Sequence, residues 1–175
     1  IKKDHPKLNI LVTFTTSDLL IQALNRGHLD LLVTRVPHGC EHEGLEFELF
    51  GEEHIQIVVG SHHPKCTKKS VTLKDLAAYP WIVHPQATPL RELFHQLFSE
   101  AKLNTPLNLV ETSSITFSAS LLEQTEMVAI MSKSYTEYYC KLGIIKPLPI
   151  NLPSSLPNYG LIHRKNRPVT PAMAL

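Results

Sequence analysis

The chain has 175 residues, 43% of them hydrophobic and 19% charged, and a formal net charge of +1. That apolar share excludes a disordered chain, and the length suffices to bury a core without disulfide or metal staples. A charge so close to zero provides no long-range field for gathering polyanions, which excludes nucleic acid as a strong partner of this chain alone.

Residues 8–14 are β-branched and apolar and predict a strand. Ser17 and Asp18 offer N-cap oxygens to a helix over 19–25, and Gly27 stands where a left-handed C-cap belongs. Residues 29–34 predict a second strand, whose nearly continuous apolar run suits burial on both faces. The stretch 8–34 therefore reads as one right-handed β-α-β unit. A polar loop over 37–44 leads to apolar–charged alternation at 45–50, a strand with one wet face, and then to a strand at 54–59. After a basic loop at 65–70, Thr72 caps a short helix over 72–76, with Asp75 at capping-box spacing. Further on, strands are expected at 81–84, 107–111 and 127–131, each followed by a helix, at 90–100, 115–123 and 134–141. The pieces 144–150 and 159–163 are extended. Alternation of this kind indicates an α/β fold with mostly parallel sheets.

The sequence contains no G-x-G-x-x-G, phosphate-cradling loop, G-x-S-x-G elbow, H-E-x-x-H or C-x-x-C, so neither an enzyme nor a cofactor is announced. Glu111 beside Ser113 is the nearest approach to an acid–base site, and a strand-end carboxylate is the simpler reading. His38, Cys40 and His42 in one loop and His62, His63 and Cys66 in another are zinc-type donors. Their spacing matches no named zinc site, and they read as solvated loop residues, so no metal is expected. Apolar runs such as 29–33 fall short of the ~20 residues a bilayer span needs. The start has no signal-peptide pattern, and the three cysteines give no even disulfide set, which fits a reducing, cytoplasmic compartment. Both ends read as interrupted helices, so the chain is expected to be a piece of a longer one.

The positive signal is positional, because ligands of open α/β sheets sit beyond the carboxyl ends of the strands. Three expected strand ends are followed by polar groups: Thr34 and Arg35; Gln86 and Thr88; Thr112, Ser113 and Ser114. The last two sets precede helices, whose N-termini present free N–H groups and partial positive charge to an anion. The candidate ligand contacts are therefore Thr34, Arg35, Gln86, Thr88, Ser113 and Ser114. Each also has a plainer reading: Ser and Thr are ordinary N-caps, and Arg35 can pair with a carboxylate of its own lobe. Trp81 reads as core, Tyr135, Tyr138 and Tyr139 as a helical stripe over a core, and Lys65, Lys68 and Lys69 as a solvated loop.

The order of pieces carries a resemblance. His5-Pro6-x-x-Asn9, then Leu24-x-x-Gly27-x-Leu29-Asp30-Leu31, Phe50-x-Glu52, Ile57-Val58-Val59 with His63-Pro64, and Leu73-x-x-Leu76 before Trp81-Ile82 follow one another. Glu111-Thr112-Ser113-Ser114 and Val128-Ala129-Ile130-Met131 complete the set. Together they resemble the effector-binding domain of LysR-type transcriptional regulators along essentially the whole chain. The resemblance implies two Rossmann-like α/β lobes joined by two crossing strands, like the type 2 periplasmic binding proteins, with an effector cleft between them. It puts lobe I at 1–57 and 163–175 and lobe II at 58–162, with lobe I short of its first strand. That strand is central in the family and would precede Ile1, so it is expected in the parent protein, or another segment fills its slot.

The function implied is a regulatory domain that binds a small, anionic metabolite to control transcription. DNA would be reached only through an N-terminal helix-turn-helix absent from this chain, within a homodimer or homotetramer and away from membranes. Leu20, Leu24 and Phe117 are apolar positions that could serve the dimer. A transporter's solute-binding protein is the alternative on the same architecture. Counted linearly, residues 1–57 carry five Lys/Arg against nine Asp/Glu, and 58–175 twelve against seven. Threaded as two lobes the counts become eight against nine and nine against seven, so no basic half remains.

Overall fold

The computed structural model describes residues 1–35, 44–152, 156 and 158–175. The chain divides into two compact units, Ile1–Glu52 with Pro157–Leu175, and Glu53–Leu156.

The first unit contains helix α1 (Ser17–Asn25) and strands β1 (Leu32–Arg35), β2 (Leu45–Gly51) and β8 (Tyr159–Arg164). Strand β8 lies in the middle of an antiparallel sheet of order β1-β8-β2. Leu24, Leu32, Leu45 and Ile162 form its buried core, with Leu20, Ile21, Leu29 and Phe47 packed against them. Leu24 is thus interior and unavailable to a partner, whereas Phe117 of the other unit is half exposed.

Helix α1 ends as its sequence requires. Gly27 takes φ +79°, and the His28 N–H reaches back to the Ala23 carbonyl at 2.9 Å. The Arg164 guanidinium closes the same end, donating from Nη1 to the Leu24 carbonyl at 2.8 Å. The backbone angle favours glycine, and a Cβ at Gly27, 2.8 Å from that Nη1, would also push the guanidinium end aside.

Three expectations fail here. Residues 8–14 form no strand, and their apolar side chains face solvent, Leu11 86% and Phe14 90% exposed. A strand exists only through its ladder, and among the described residues none includes this stretch. The 8–34 β-α-β unit is therefore absent. Strand β1 begins three residues later than expected and is not buried on both faces, since Val33 is 60% exposed and the only described partner is antiparallel β8. The helix also starts earlier: Thr16 is the N-cap without capping through its side chain. Instead the Thr16 hydroxyl bonds to Asp18, which holds that carboxyl below its usual range.

The second unit holds β3 (Ile55–Gly60), α2 (Leu73–Leu76), β4 (Trp81–Val83), α3 (Pro89–Glu100), β5 (Leu109–Glu111), α4 (Ile115–Gln124), β6 (Val128–Ser132), α5 (Lys133–Lys141) and β7 (Ile145–Pro147). Its sheet runs β5-β4-β6-β3-β7. Strands β5, β4 and β6 are parallel, while β3 is antiparallel to both β6 and β7. Among the described strands one sheet is thus antiparallel and the other mixed, rather than mostly parallel.

Alternate residues of the central strands supply two cores. Ile57, Val59, Trp81, Val83, Val128 and Ile130 pack with Leu93, Phe94, Leu97 and Phe98 of α3. Val58, Ile82, Ala129 and Met131 pack with Leu122 of α4 and Tyr139 and Cys140 of α5. Continuous apolar runs are what burial on both faces of a sheet demands. Trp81 is fully buried, and its indole N–H donates to the Leu76 carbonyl at 3.1 Å. Gly60 lies under α4 so closely that a Cβ would overlap the Leu122 carbonyl.

The capping box at α2 is formed as read. Thr72 Oγ1 accepts from the Asp75 N–H, and Asp75 accepts from the Thr72 N–H and hydroxyl. With Lys65 at 3.0 Å as well, these bonds hold the Asp75 carboxyl far below its ordinary value. On α5, Tyr135 and Tyr138 are exposed and only Tyr139 joins a core, so the expected tyrosine stripe is one residue wide.

Candidate functional site

In the second unit two exits lie side by side. Strands β4 and β5 are parallel, with Val83 opposite Glu111, so their carboxyl ends leave the sheet on the same edge. Residues 84–88 then enter α3, and 112–114 enter α4.

The first exit is tightly wound. Ala87 has φ +59°, in the left-handed region, which costs a residue with a Cβ about 1–2 kcal/mol. Thr88 is the N-cap of α3 but does not cap through its side chain; its hydroxyl donates to the Pro85 carbonyl at 2.7 Å. Pro89 follows at the first helical position, where its missing N–H costs nothing. This leaves the α3 terminus without a side-chain cap and places Gln86, exposed, beside it.

The second exit is capped. The Thr112 N–H continues the ladder to the Val83 carbonyl at 2.9 Å, and its hydroxyl accepts from the Ser114 N–H at 3.1 Å. Ser114 Oγ accepts from the Phe117 N–H at 3.3 Å, the ordinary role of an N-cap serine. Ser113 is exposed between them. The sequence thus brings Gln86, Thr88, Ser113 and Ser114 to neighbouring strand ends, with Ser114 already engaged as a cap.

In the first unit Thr34 and Arg35 end β1 as expected. Thr34 Oγ1 lies 2.7 Å from Ser17 Oγ, which joins the strand end to the first turn of α1. Ser17 is a site neighbour that sequence reading assigned only to capping. Arg35 stands opposite Tyr159 in the ladder. Burial draws its guanidinium below its ordinary value, and Tyr159 acts in the opposite direction. An arginine remains a cation at neutral pH even so.

Sequence reading also missed Arg91. It is 6% exposed, and its Nη1 donates both to Glu111 Oε2 and to the His84 carbonyl at 3.0 Å. The Glu111 carboxylate, considered above as a possible acid, is thus an ion-pair partner at the end of β5.

Among the described residues the zinc-type donors do not assemble. His38, Cys40 and His42 lie outside the described residues. His63 is buried, its Nδ1 accepting from the Lys65 N–H, and Cys66 donates to the Ser61 carbonyl. Burial pushes the His63 imidazole below its ordinary value, opposed by Glu126. Among the described residues no group of three His, Cys, Asp or Glu could hold a metal ion, and no helix is long and apolar enough to cross a membrane.

The family profile of the LysR substrate binding domain matches residues 1–175. The chain belongs to this family. Curated relatives include the transcriptional regulators GbpR of Azospirillum brasilense, 25% identical over 97% of this chain and 50% of the relative, and GalR of Pseudomonas putida, 26% identical over 96% and 42%. The chain therefore spans about half the length of the curated relatives it matches. Among solved structures it is similar to the effector-binding domain of QuiR in complex with shikimate, with 23% identity, 91% and 74% of the two chains covered and a TM-score of 0.67. It is also similar to the effector-binding domain of BenM with benzoate, with 19% identity, 98% and 77% coverage and a TM-score of 0.67. The LysR fold of two α/β sheets, like the type 2 periplasmic binding proteins, is thereby shown, and the family is one of transcription regulators rather than enzymes. These relatives stand against the transporter solute-binding alternative.

Proposed function

We propose that this LysR domain is the ligand-sensing part of a DNA-binding regulator and that its effector is a small carboxylate. The observation that carries the reading is the pair of adjacent helix starts after β4 and β5, one of them lacking a side-chain cap. Helix N-termini favour negative charge, and neutral hydroxyls orient it without a metal. Gln86, Thr88, Ser113 and Ser114 of the second unit, and Thr34 and Arg35 of the first, are the proposed contacts. Two of the similar structures hold carboxylates, shikimate and benzoate, which supports the same class here.

The parent protein is proposed to carry an N-terminal helix-turn-helix, to act in the cytoplasm and to work as a homodimer or homotetramer. The lobes are proposed to follow the two compact units, with lobe I completed by a strand from outside these residues. The exposed apolar stretch 8–14 supports that completion.

Thermal unfolding across a panel of small carboxylates tests the effector class. A true effector at ~100-fold excess over its Kd contributes ~2.7 kcal/mol and raises Tm by ~5 °C or more. Ser113→Ala should shrink that shift while leaving the unliganded Tm in place, Ser113 being exposed. A Tm that no carboxylate moves overturns the reading.

A further inference from the structure

Arg91 breaks two local rules at once. It is a cation in the first turn of α3, where the helix dipole favours anions. It is also buried, and removing a guanidinium from water is unfavourable unless every bond is matched. For stability alone an apolar residue of similar size does as well or better at such a position. The bonds that Arg91 makes show what it does instead. Nη1 holds the His84 carbonyl, where the chain leaves β4, and Glu111 Oε2, where it leaves β5. Nε donates to His95 Nε2 at 3.0 Å, one turn along α3, which fixes the plane of the guanidinium.

One side chain thus spans both loops that carry Gln86, Thr88, Ser113 and Ser114. It also neutralises a carboxylate at the end of β5, the Glu111 side chain being 48% exposed while that of Arg91 is 7% exposed. We propose that Arg91 is a positioning residue for the anion site: it fixes the spacing of the two helix starts and holds Glu111 so that its charge does not repel an incoming carboxylate. This rests on the functional reading above and adds the residue that tunes it. Lysine cannot replace the arginine, because an ammonium lacks the planar fork that reaches separate acceptors from fixed nitrogens.

The test uses the whole chain and two readouts. Amide hydrogen exchange follows Thr112, Ser114 and Glu92, whose N–H groups bond within or between the two exits, against Ala129 and Ile130 in the central strand β6. In Arg91→Lys the three exit amides should exchange about tenfold faster, the effect of losing one charge-assisted hydrogen bond, with Ala129 and Ile130 unchanged. Uniform acceleration, or none, overturns the proposal, because a purely structural arginine predicts the first and an idle one the second. Benzoate titration is the second readout. Arg91→Met should weaken benzoate about tenfold or more by exposing an unpaired carboxylate, and Arg91→Met with Glu111→Gln should recover most of that loss. Failure of the double variant to recover removes the charge-holding role. If the unaltered chain binds no benzoate, the carboxylate reading loses that ligand, and the exchange pattern alone decides the positioning role.

Discussion

The two units share a class of architecture and differ in how completely they enclose it. The second has a five-stranded sheet with both faces covered, and fourteen residues in the larger of its two buried clusters. Among its described residues the first has three strands, four buried core residues and a row of exposed apolar side chains at Ile10, Leu11, Val12 and Phe14. Both sequences are rich in strand-forming residues, so composition does not separate them. What separates them is how many strands have a neighbour on both sides: among the described residues β4, β6 and β3 do in the second unit and β8 alone in the first. The contrast teaches that a β-branched run specifies willingness to pair, and that pairing itself is a property of the whole sheet.

The strongest test of this contrast empties each core in turn. Phe98→Ala in the second unit removes a ring fully enclosed by Trp81 and Phe94 and should cost ~3–5 kcal/mol. Denaturant unfolding followed by the single tryptophan, Trp81, reads it directly. Leu24→Ala in the first unit should cost nearer ~2 kcal/mol, since a core with fewer neighbours closes more easily over a cavity. Limited proteolysis should show the loss in the first unit while Trp81 fluorescence keeps its midpoint. Coincident loss in both units would erase the distinction.

A smaller effect is expected at Gly27→Ala. The left-handed backbone angle predicts a loss of ~1–2 kcal/mol, confined to the first unit. Equal proteolysis of variant and parent would count against it.

The smallest effect is in pH. Both His63 and Asp75 of the second unit have lowered pKa values, His63 mainly through burial and Asp75 through its bonds from Thr72. A depressed folded value means stability present above the unfolded pKa and lost as pH falls through the folded one. For His63 the loss begins below about pH 6.5, and for Asp75 below about pH 4. Asp75→Asn should flatten only the lower window in urea midpoints measured across pH. An unchanged slope there would remove Asp75 from the account.

Local features were legible in the sequence. Thr72 and Asp75 are three residues apart and meet in a capping box that needs nothing else of the fold. The strands expected at 45–50, 54–59 and 127–131 all form, within a residue or so of those bounds, but the alternation in 45–50 marks a buried face only as far as Phe47, since Leu49 is 58% exposed. Residues 8–14 and Val33 were misread because an apolar run says nothing about which partner strand is present. The parallel expectation failed for β3, whose antiparallel neighbours β6 and β7 come from much later in the chain. Of the site, strand ends and helix starts were visible, since Thr88 and Ser114 stand where N-caps belong. Arg91 was not, because its partner Glu111 is twenty residues away and no spacing rule links a helix to the next strand's end.

The position of β8 sets an order of events during synthesis. It is the central strand of the first unit, and it comes from residues 159–164, after the whole second unit has been made. The second unit is one uninterrupted stretch and can fold as soon as it leaves the ribosome. Until β8 emerges, β1 and β2 have no strand between them, and the part of the first unit made before the second must wait for the part made after it. The first unit is thus a dependent of residues beyond the second, and a break after Leu156 would leave a finished second unit and a first one with no sheet to join.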